Sequence, residues 1–271
     1  MDWLSALQHL RDTRTPGVLV TITQVRGHAP RAAGAKLVVA AGDSWGSIGG
    51  GNLEECAVRR ARALLHDAAT AVLTETHDLS DRAPGEHGVQ CCGGQVTILY
   101  EPLPVRPSVA VFGMGHVGLE LALLLSRHDL ELHLVDSRAD QLADDRLAPV
   151  LTGPADVRVH RVPVLPELVV ADLPAGTDVL VLTHDHAEDL ALLDALLRSD
   201  LPGSIGLIGS SAKWTRFRAR LAELGHGEAA IARVRTPIGD PAITGKEPAR
   251  IALAVAVELL APARLKDPAS G

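Results

Sequence analysis

The first ten residues, Met1-Asp-Trp-Leu-Ser-Ala-Leu-Gln-His-Leu10, set apolar side chains at helical spacing and predict an amphipathic helix. Gly17-Val-Leu-Val-Thr-Ile-Thr-Gln-Val25 is rich in β-branched residues and predicts a strand. A second strand is expected over 37–40, a helix over 53–66, and further strands over 72–77 and 95–101, with a polar loop between the last two. Asn52 is the expected N-cap of that helix, and Glu55, three residues on, has the spacing of a capping box. Glu101-Pro-Leu-Pro-Val-Arg-Pro107 is proline-rich and reads as a linker. Beyond it, strands expected at 109–112, 131–136, 157–162, 178–183 and 204–208 alternate with helical patterns, among them 117–127, 187–199, 211–225 and 247–260, before an end expected to fray. Strands alternating with helices build a parallel sheet covered on both faces. The expected fold is α/β: a C-terminal Rossmann-type parallel sheet over 105–271 and a smaller N-terminal α+β domain over 1–104.

The apolar run at Val109 ends in Gly113-Met-Gly115-His-Val-Gly118, and the next strand closes on Asp136. Each glycine has its own reason. Gly113 permits the tight turn, Gly115 lets backbone approach a pyrophosphate, and Gly118 lets the helix pack on the strand. The helix that follows aims free N–H groups and a positive dipole end at a phosphate, and Asp136 is placed to accept from a ribose diol. On these residues alone, an NAD(P)-dependent oxidoreductase is one reading, with His184 or His186 as its proton donor or base. A nucleotide at this turn is an expectation, and a turn that binds nothing is the alternative.

Composition narrows the partners. The chain has 271 residues, 46% hydrophobic, 22% charged and only 2% aromatic, with a net charge of −7. Few aromatics and no basic run exclude nucleic acid and anionic membrane surfaces as expected partners. No apolar run has the length of a membrane span, and the N-terminus lacks the features of a signal peptide. Three cysteines, two of them adjacent, make no disulfide framework, so a reducing cytoplasm is the expected setting.

Four further stretches carry candidate chemistry. Gln90-Cys91-Cys92-Gly93-Gly94 sets two thiols beside two glycines, and thiolates are soft ligands suited to molybdenum, zinc or copper(I). Gly49-Gly50-Gly51 opens the helix at 53–66 and can form an anion-binding nest of backbone N–H groups, with Arg26, Arg31 and Lys36 nearby in sequence. Thr183-His184-Asp185-His186 lies at the carboxyl end of an expected central strand, where open α/β sheets bind ligands. It does not match the binuclear zinc hydrolase signature, because its Asp is displaced and no His follows. Gly209-Ser210-Ser211-Ala-Lys213 ends another strand, and its hydroxyls, amides and ammonium could hold a phosphate.

Together these segments resemble the XdhC/CoxI family, and within it the xanthine dehydrogenase accessory branch. The resemblance rests on Val25-Arg-Gly-His-Ala-Pro-Arg31-Ala-Ala-Gly-Ala-Lys36, Gly46-Ser-Ile-Gly-Gly-Gly51-Asn-Leu-Glu54, Gln90-Cys-Cys-Gly-Gly94, Leu182-Thr-His-Asp-His-Ala187, Gly206-Leu-Ile-Gly-Ser-Ser-Ala-Lys-Trp214 and Pro237-Ile-Gly239 with Gly245-Lys-Glu-Pro248. It implies a molybdenum-cofactor chaperone rather than an enzyme. Such a protein protects the pyranopterin while a terminal sulfur is added and delivers it to xanthine dehydrogenase. It implies contacts with a cysteine desulfurase and with the dehydrogenase's molybdenum subunit, and a homodimer is expected. CoxI-like members carry cysteine where this chain has Gly51, which leaves Cys91 and Cys92 as the candidate molybdenum ligands; members of the accessory branch often carry His where Asn52 stands. From the residues and the resemblance together, the candidate cofactor-binding set is Gly49, Gly50, Gly51, Cys91, Cys92, Gly93, Gly94, Gly113, Gly115, Gly118, Asp136, His184, Ser210 and Lys213.

Overall fold

The computed structural model describes residues 1–79, 93–161 and 165–261. Gln90, Cys91, Cys92, Val162 and the end of the chain expected to fray lie outside the described residues. The chain divides into two compact units, Met1–Arg106 and Pro107–Gly271.

The first unit runs α1 (Trp3–Asp12), β1 (Gly17–Arg26), β2 (Lys36–Val39), β3 (Ser44–Gly46), α2 (Gly51–His66), β4 (Leu73–Asp78) and β5 (Gln95–Leu103). Its strands form an antiparallel sheet in the order β3-β2-β1-β5-β4. Side-chain alternation sorts the strands onto two helices. Val18, Val20, Ile22, Leu37, Val39, Ile98 and Tyr100 pack with Leu53, Ala57, Ala61 and Leu64 of α2. Val38 and Leu19 face the other way, against Ala6, Leu7 and Leu10 of α1. A bulge between Ile22 and Gln24 resets the alternation, so Val25 joins the α2 side again. The three-residue β3 escaped the sequence pattern because Ser44-Trp-Gly46 is a short, largely exposed edge strand.

The second unit runs β6 (Ser108–Phe112), α3 (His116–Leu125), β7 (Glu131–Asp136), α4 (Asp144–Leu147), β8 (Asp156–Arg161), β9 (Thr177–Val181), α5 (His186–Arg198), β10 (Pro202–Leu207), α6 (Ser211–Glu223), α7 (Glu228–Ile231), β11 (Val234–Arg235) and α8 (Pro248–Leu260). The strands are parallel, in the order β11-β10-β9-β6-β7-β8. This is the Rossmann arrangement, in which strand order reverses between β6 and β9. β6 is buried along its whole length because both faces are covered. Val109 and Val111 pack toward Leu121 and Leu125 of α3 and Val255 of α8. Ala110 and Phe112 pack toward Leu192 and Leu196 of α5 and Phe217 of α6. Between β8 and β9 the crossover carries a 3-10 segment, Pro166–Asp172.

Candidate functional site

In the first unit, three stretches far apart in sequence meet at one end of the sheet. A Cβ on Gly49 would stand 2.6 Å from Pro30, and one on Gly94 would stand 2.1 Å from the carbonyl oxygen of His28. The basic loop after β1 is therefore pressed against both the glycine turn and the Gly93-Gly94 pair. The β4–β5 hairpin closes at its base through Leu79 N–H to the Gly94 carbonyl (2.7 Å) and Gly93 N–H to the Leu79 carbonyl (3.0 Å). Gly49, Gly50 and Gly51 all have positive φ (129°, 72° and 62°), a run that other residues adopt only under strain. Around Gly50 and Gly51 there is open space where a side chain would be. Arg26, His28 and Arg31 are exposed on the adjoining loop. Lys36 turns elsewhere: its Nζ donates to Thr21 Oγ1 at 3.1 Å and sits 5.4 Å over the Trp3 ring.

The nest in this turn already holds an anion, and it is internal. Glu54 Oε2 accepts from Ser47 Oγ at 2.7 Å and from the Ile48 and Gly50 amides at 3.1 Å each. Burial works to raise the Glu54 pKa, but these bonds hold it below the usual carboxylate range. This corrects the expected capping: Gly50 is the N-cap and α2 starts at Gly51, so Asn52 is inside the helix. Glu54, rather than Glu55, closes the turn, because its side chain returns along the helix to amides that precede it. Cys56, on the second turn of α2, accepts from Arg59 Nη2 at 3.4 Å. Among the described residues, no group of three or more His, Cys, Asp or Glu side chains is arranged to hold a metal ion. Cys91 and Cys92, the candidate molybdenum ligands, lie outside the described residues.

In the second unit, Gly113, Gly115, Gly118, Asp136 and His184 gather at the switch point. Gly113 (φ 104°) allows the turn, and a Cβ there would strike the Leu182 carbonyl oxygen at 2.4 Å. A Cβ on Gly118 would lie 2.0 Å from the Gly113 carbonyl oxygen, so helix and strand meet backbone to backbone. Gly115, the N-cap of α3, faces open space. Asp136 is saturated by the protein. Oδ2 accepts from the Met114 amide (2.7 Å) and Arg138 Nη2 (2.9 Å), and Oδ1 accepts from the amide (2.9 Å) and Nε (3.0 Å) of Arg138. Burial raises its pKa, yet these donors hold it below the usual range. The oxygens expected to receive a ribose diol are thus engaged inside the fold. Arg146 Nη2 donates to the Met114 carbonyl at 2.9 Å and clamps the turn from the other side.

Lys213 also differs from its expected role. Its Nζ pairs with Asp189 Oδ2 at 2.5 Å and donates to the Ile208 carbonyl at 3.0 Å. Asp189 Oδ1 accepts from Thr183 Oγ1 at 2.7 Å. The side chains are 10% and 0% exposed, so the ammonium is an internal brace between the starts of α5 and α6 and is turned away from any phosphate in solvent. Ser210 caps α6 by accepting from the Lys213 amide at 3.2 Å. His184 and His186 are exposed, and His186 meets the Phe217 ring edge-on.

Sequence reasoning missed Glu54 and Glu188. For Glu54 the available signal was its place just after a triple glycine. Glu188 sits in the first turn of α5 and accepts from Ser137 Oγ at 2.8 Å, a contact across 51 positions that no local pattern announces. Its pKa is raised, first by burial and then by Asp136 and Asp189, against the Ser137 bond and His184.

Comparison with known proteins fits this two-part arrangement. A family model described as the XdhC Rossmann domain matches residues 109–259. A second, described as the XdhC and CoxI family, matches residues 10–78. A curated relative, named "Uncharacterized protein YqeB" in Escherichia coli (strain K12), is 26% identical over 260 residues, covering 96% of this chain and 46% of the relative. The chain therefore spans about half the length of that relative. A solved structure described as a xanthine dehydrogenase from Bacillus halodurans aligns with 100% of this chain and 98% of its own, at 19% identity and a TM-score of 0.48.

Proposed function

The chain belongs to the XdhC and CoxI family, and from that membership we propose that it is an accessory protein that binds the molybdenum cofactor, shields it during sulfuration and hands it to xanthine dehydrogenase. The supporting observation is the convergence in the first unit of the basic loop, the glycine turn and Gly93-Gly94. Open backbone at Gly50 and Gly51 fits the close approach of a flat ring system, and exposed Arg26 and Arg31 fit a terminal phosphate. Because Glu54 fills the nest, we assign the phosphate to the arginines and not to the Ile48 and Gly50 amides. Cys91 and Cys92 are the proposed soft ligands; the cofactor itself would supply the molybdenum centre of the client enzyme. A cysteine desulfurase and the molybdenum subunit of the client are the proposed partners, with a second copy of the chain completing a homodimer.

The test is purification of the full chain from a host that makes molybdopterin, followed by assay of bound pterin. Pterin at stoichiometric level is expected, and its absence sinks the carrier reading. Reconstitution of Cys91→Ala and Cys92→Ala then tests the thiols: unchanged stoichiometry and affinity in both would remove them. The oxidoreductase reading is disfavoured by Asp136, whose oxygens are already engaged by Met114 and Arg138.

A further inference from the structure

Ser137 follows β7, and Glu188 lies in the first turn of α5, the helix after β9. In the sheet, β7 and β9 flank β6 on either side. The 2.8 Å bond from Ser137 Oγ to Glu188 Oε2 therefore joins the two neighbours of β6 across its carboxyl end. That end is where Gly113 turns and where a phosphate would meet the first amides of α3. We infer that Glu188 is a gate on this crevice: while bonded to Ser137 it excludes phosphate-bearing ligands from the Gly113–Gly118 turn. The inference concerns the second unit alone and stands apart from the cargo proposed above.

Two features make the bridge a built element. Its α5 end is anchored by the residue next in sequence, Asp189, which is fully buried and held by Lys213 and Thr183. Its β7 end adjoins Asp136, which is locked by Arg138 and Met114. Both backbones are thus fixed, and only the Glu188 side chain needs to rotate for the crevice to open. The charges around Glu188 are Asp136, Asp189, Arg138 and His184. The two carboxylates and burial raise its pKa, so acidification neutralises the gate sooner than an ordinary glutamate.

The experiment titrates the intact chain with ADP and with NADP⁺ by calorimetry, comparing the wild type with Ser137→Ala, Glu188→Gln and Glu188→Ala. Glu188→Gln keeps the size of the side chain and removes the charge. About tenfold tighter ADP binding is expected there, the scale of one like charge withdrawn from a half-buried anion site. Ser137→Ala, which frees the carboxylate without neutralising it, should fall between. The ratio of Glu188→Gln to wild-type affinity cancels the ligand's own titration, and it should shrink from pH 7 to pH 5 as wild-type Glu188 takes up a proton. Equal affinities in all four proteins overturn the gate, as does the absence of binding in all four. A ratio that does not change with pH overturns the assignment of the charge to Glu188.

Discussion

Removing the ammonium of Lys213 should destabilise the second unit far more than it affects any ligand. In Lys213→Met the Asp189 carboxylate, wholly buried, would keep Thr183 Oγ1 as its remaining described hydrogen-bond donor. Breaking a buried ion pair by deleting one partner costs about 3–5 kcal/mol. For a unit of this size that is a fall in Tm of about 6–20 °C, taking roughly 2–4 °C per kcal/mol. Asp189→Asn should cost a similar amount, since it leaves the ammonium at Ile208 without a counter-charge. The double variant Lys213→Met/Asp189→Leu, which buries no unpaired charge, should be more stable than either single change. Trp214 neighbours Lys213 on α6 and packs against the α5–α6 core, so its fluorescence reports this unit. Urea unfolding in a Trp3→Phe/Trp45→Phe background would isolate that signal. Single variants that lose less than about 1 kcal/mol, or costs that simply add in the double variant, would refute the brace. A Lys213→Met protein of wild-type stability that had lost its affinity for a phosphate ligand would return the residue to the phosphate-holding role.

Two other outcomes follow from the same geometry. His133 is buried, donates Nε2–H to Glu131 at 3.1 Å and faces His160 at 2.9 Å, and burial lowers its pKa to about 4. Between that value and the ordinary 6.5 the unfolded chain takes the proton and the native chain does not. Stability is thus full above the upper value and is lost as pH falls toward the lower, by about 1.4 kcal/mol per pH unit; urea midpoints at pH 7 and pH 5 should show a smaller drop in His133→Gln, and equal drops would dismiss the effect. The glycine turn should also be asymmetric. Gly118→Ala forces a Cβ to 2.0 Å from the Gly113 carbonyl and should cost about 3 kcal/mol or more, whereas Gly115→Ser, in open space at an N-cap, should stay within about 0.5 kcal/mol by thermal melting.

The order of elements could be read from the chain because burial leaves a strong periodic mark. β6 is covered on both faces and appears as an uninterrupted apolar run from Val109 to Phe112, β7 is equally buried although it carries Glu131, His133 and Asp136, and α5 and α6 keep one apolar stripe each. The parallel Rossmann sheet follows from their alternation. The short edges left little mark: β3 is three residues at the rim and β11 only two, too few for a period to register. The start of α2 was misplaced because Asn52 with Glu55 matches a capping box by spacing, while the fold caps with Gly50 and draws in Glu54.

The sites were harder to read for one physical reason. A turn of free amides attracts any carboxylate or phosphate, and the local sequence gives the turn but not what fills it. Gly49-Gly50-Gly51 and Gly113-Met-Gly115 were both legible as anion cradles. In the fold, Glu54 enters the first from within its own helix, and Asp136 enters the second from the neighbouring strand. The same logic reassigns Lys213, whose charge looked available until Asp189 arrived from another helix. An internal carboxylate at each position organises the turn before any ligand arrives, and it also sets a threshold, since an incoming anion must compete with or work around it. Ligand recognition in this chain is therefore proposed to fall to groups beside the cradles: exposed Arg26 and Arg31 in the first unit, and the proposed Glu188 gate with Gly115 in the second.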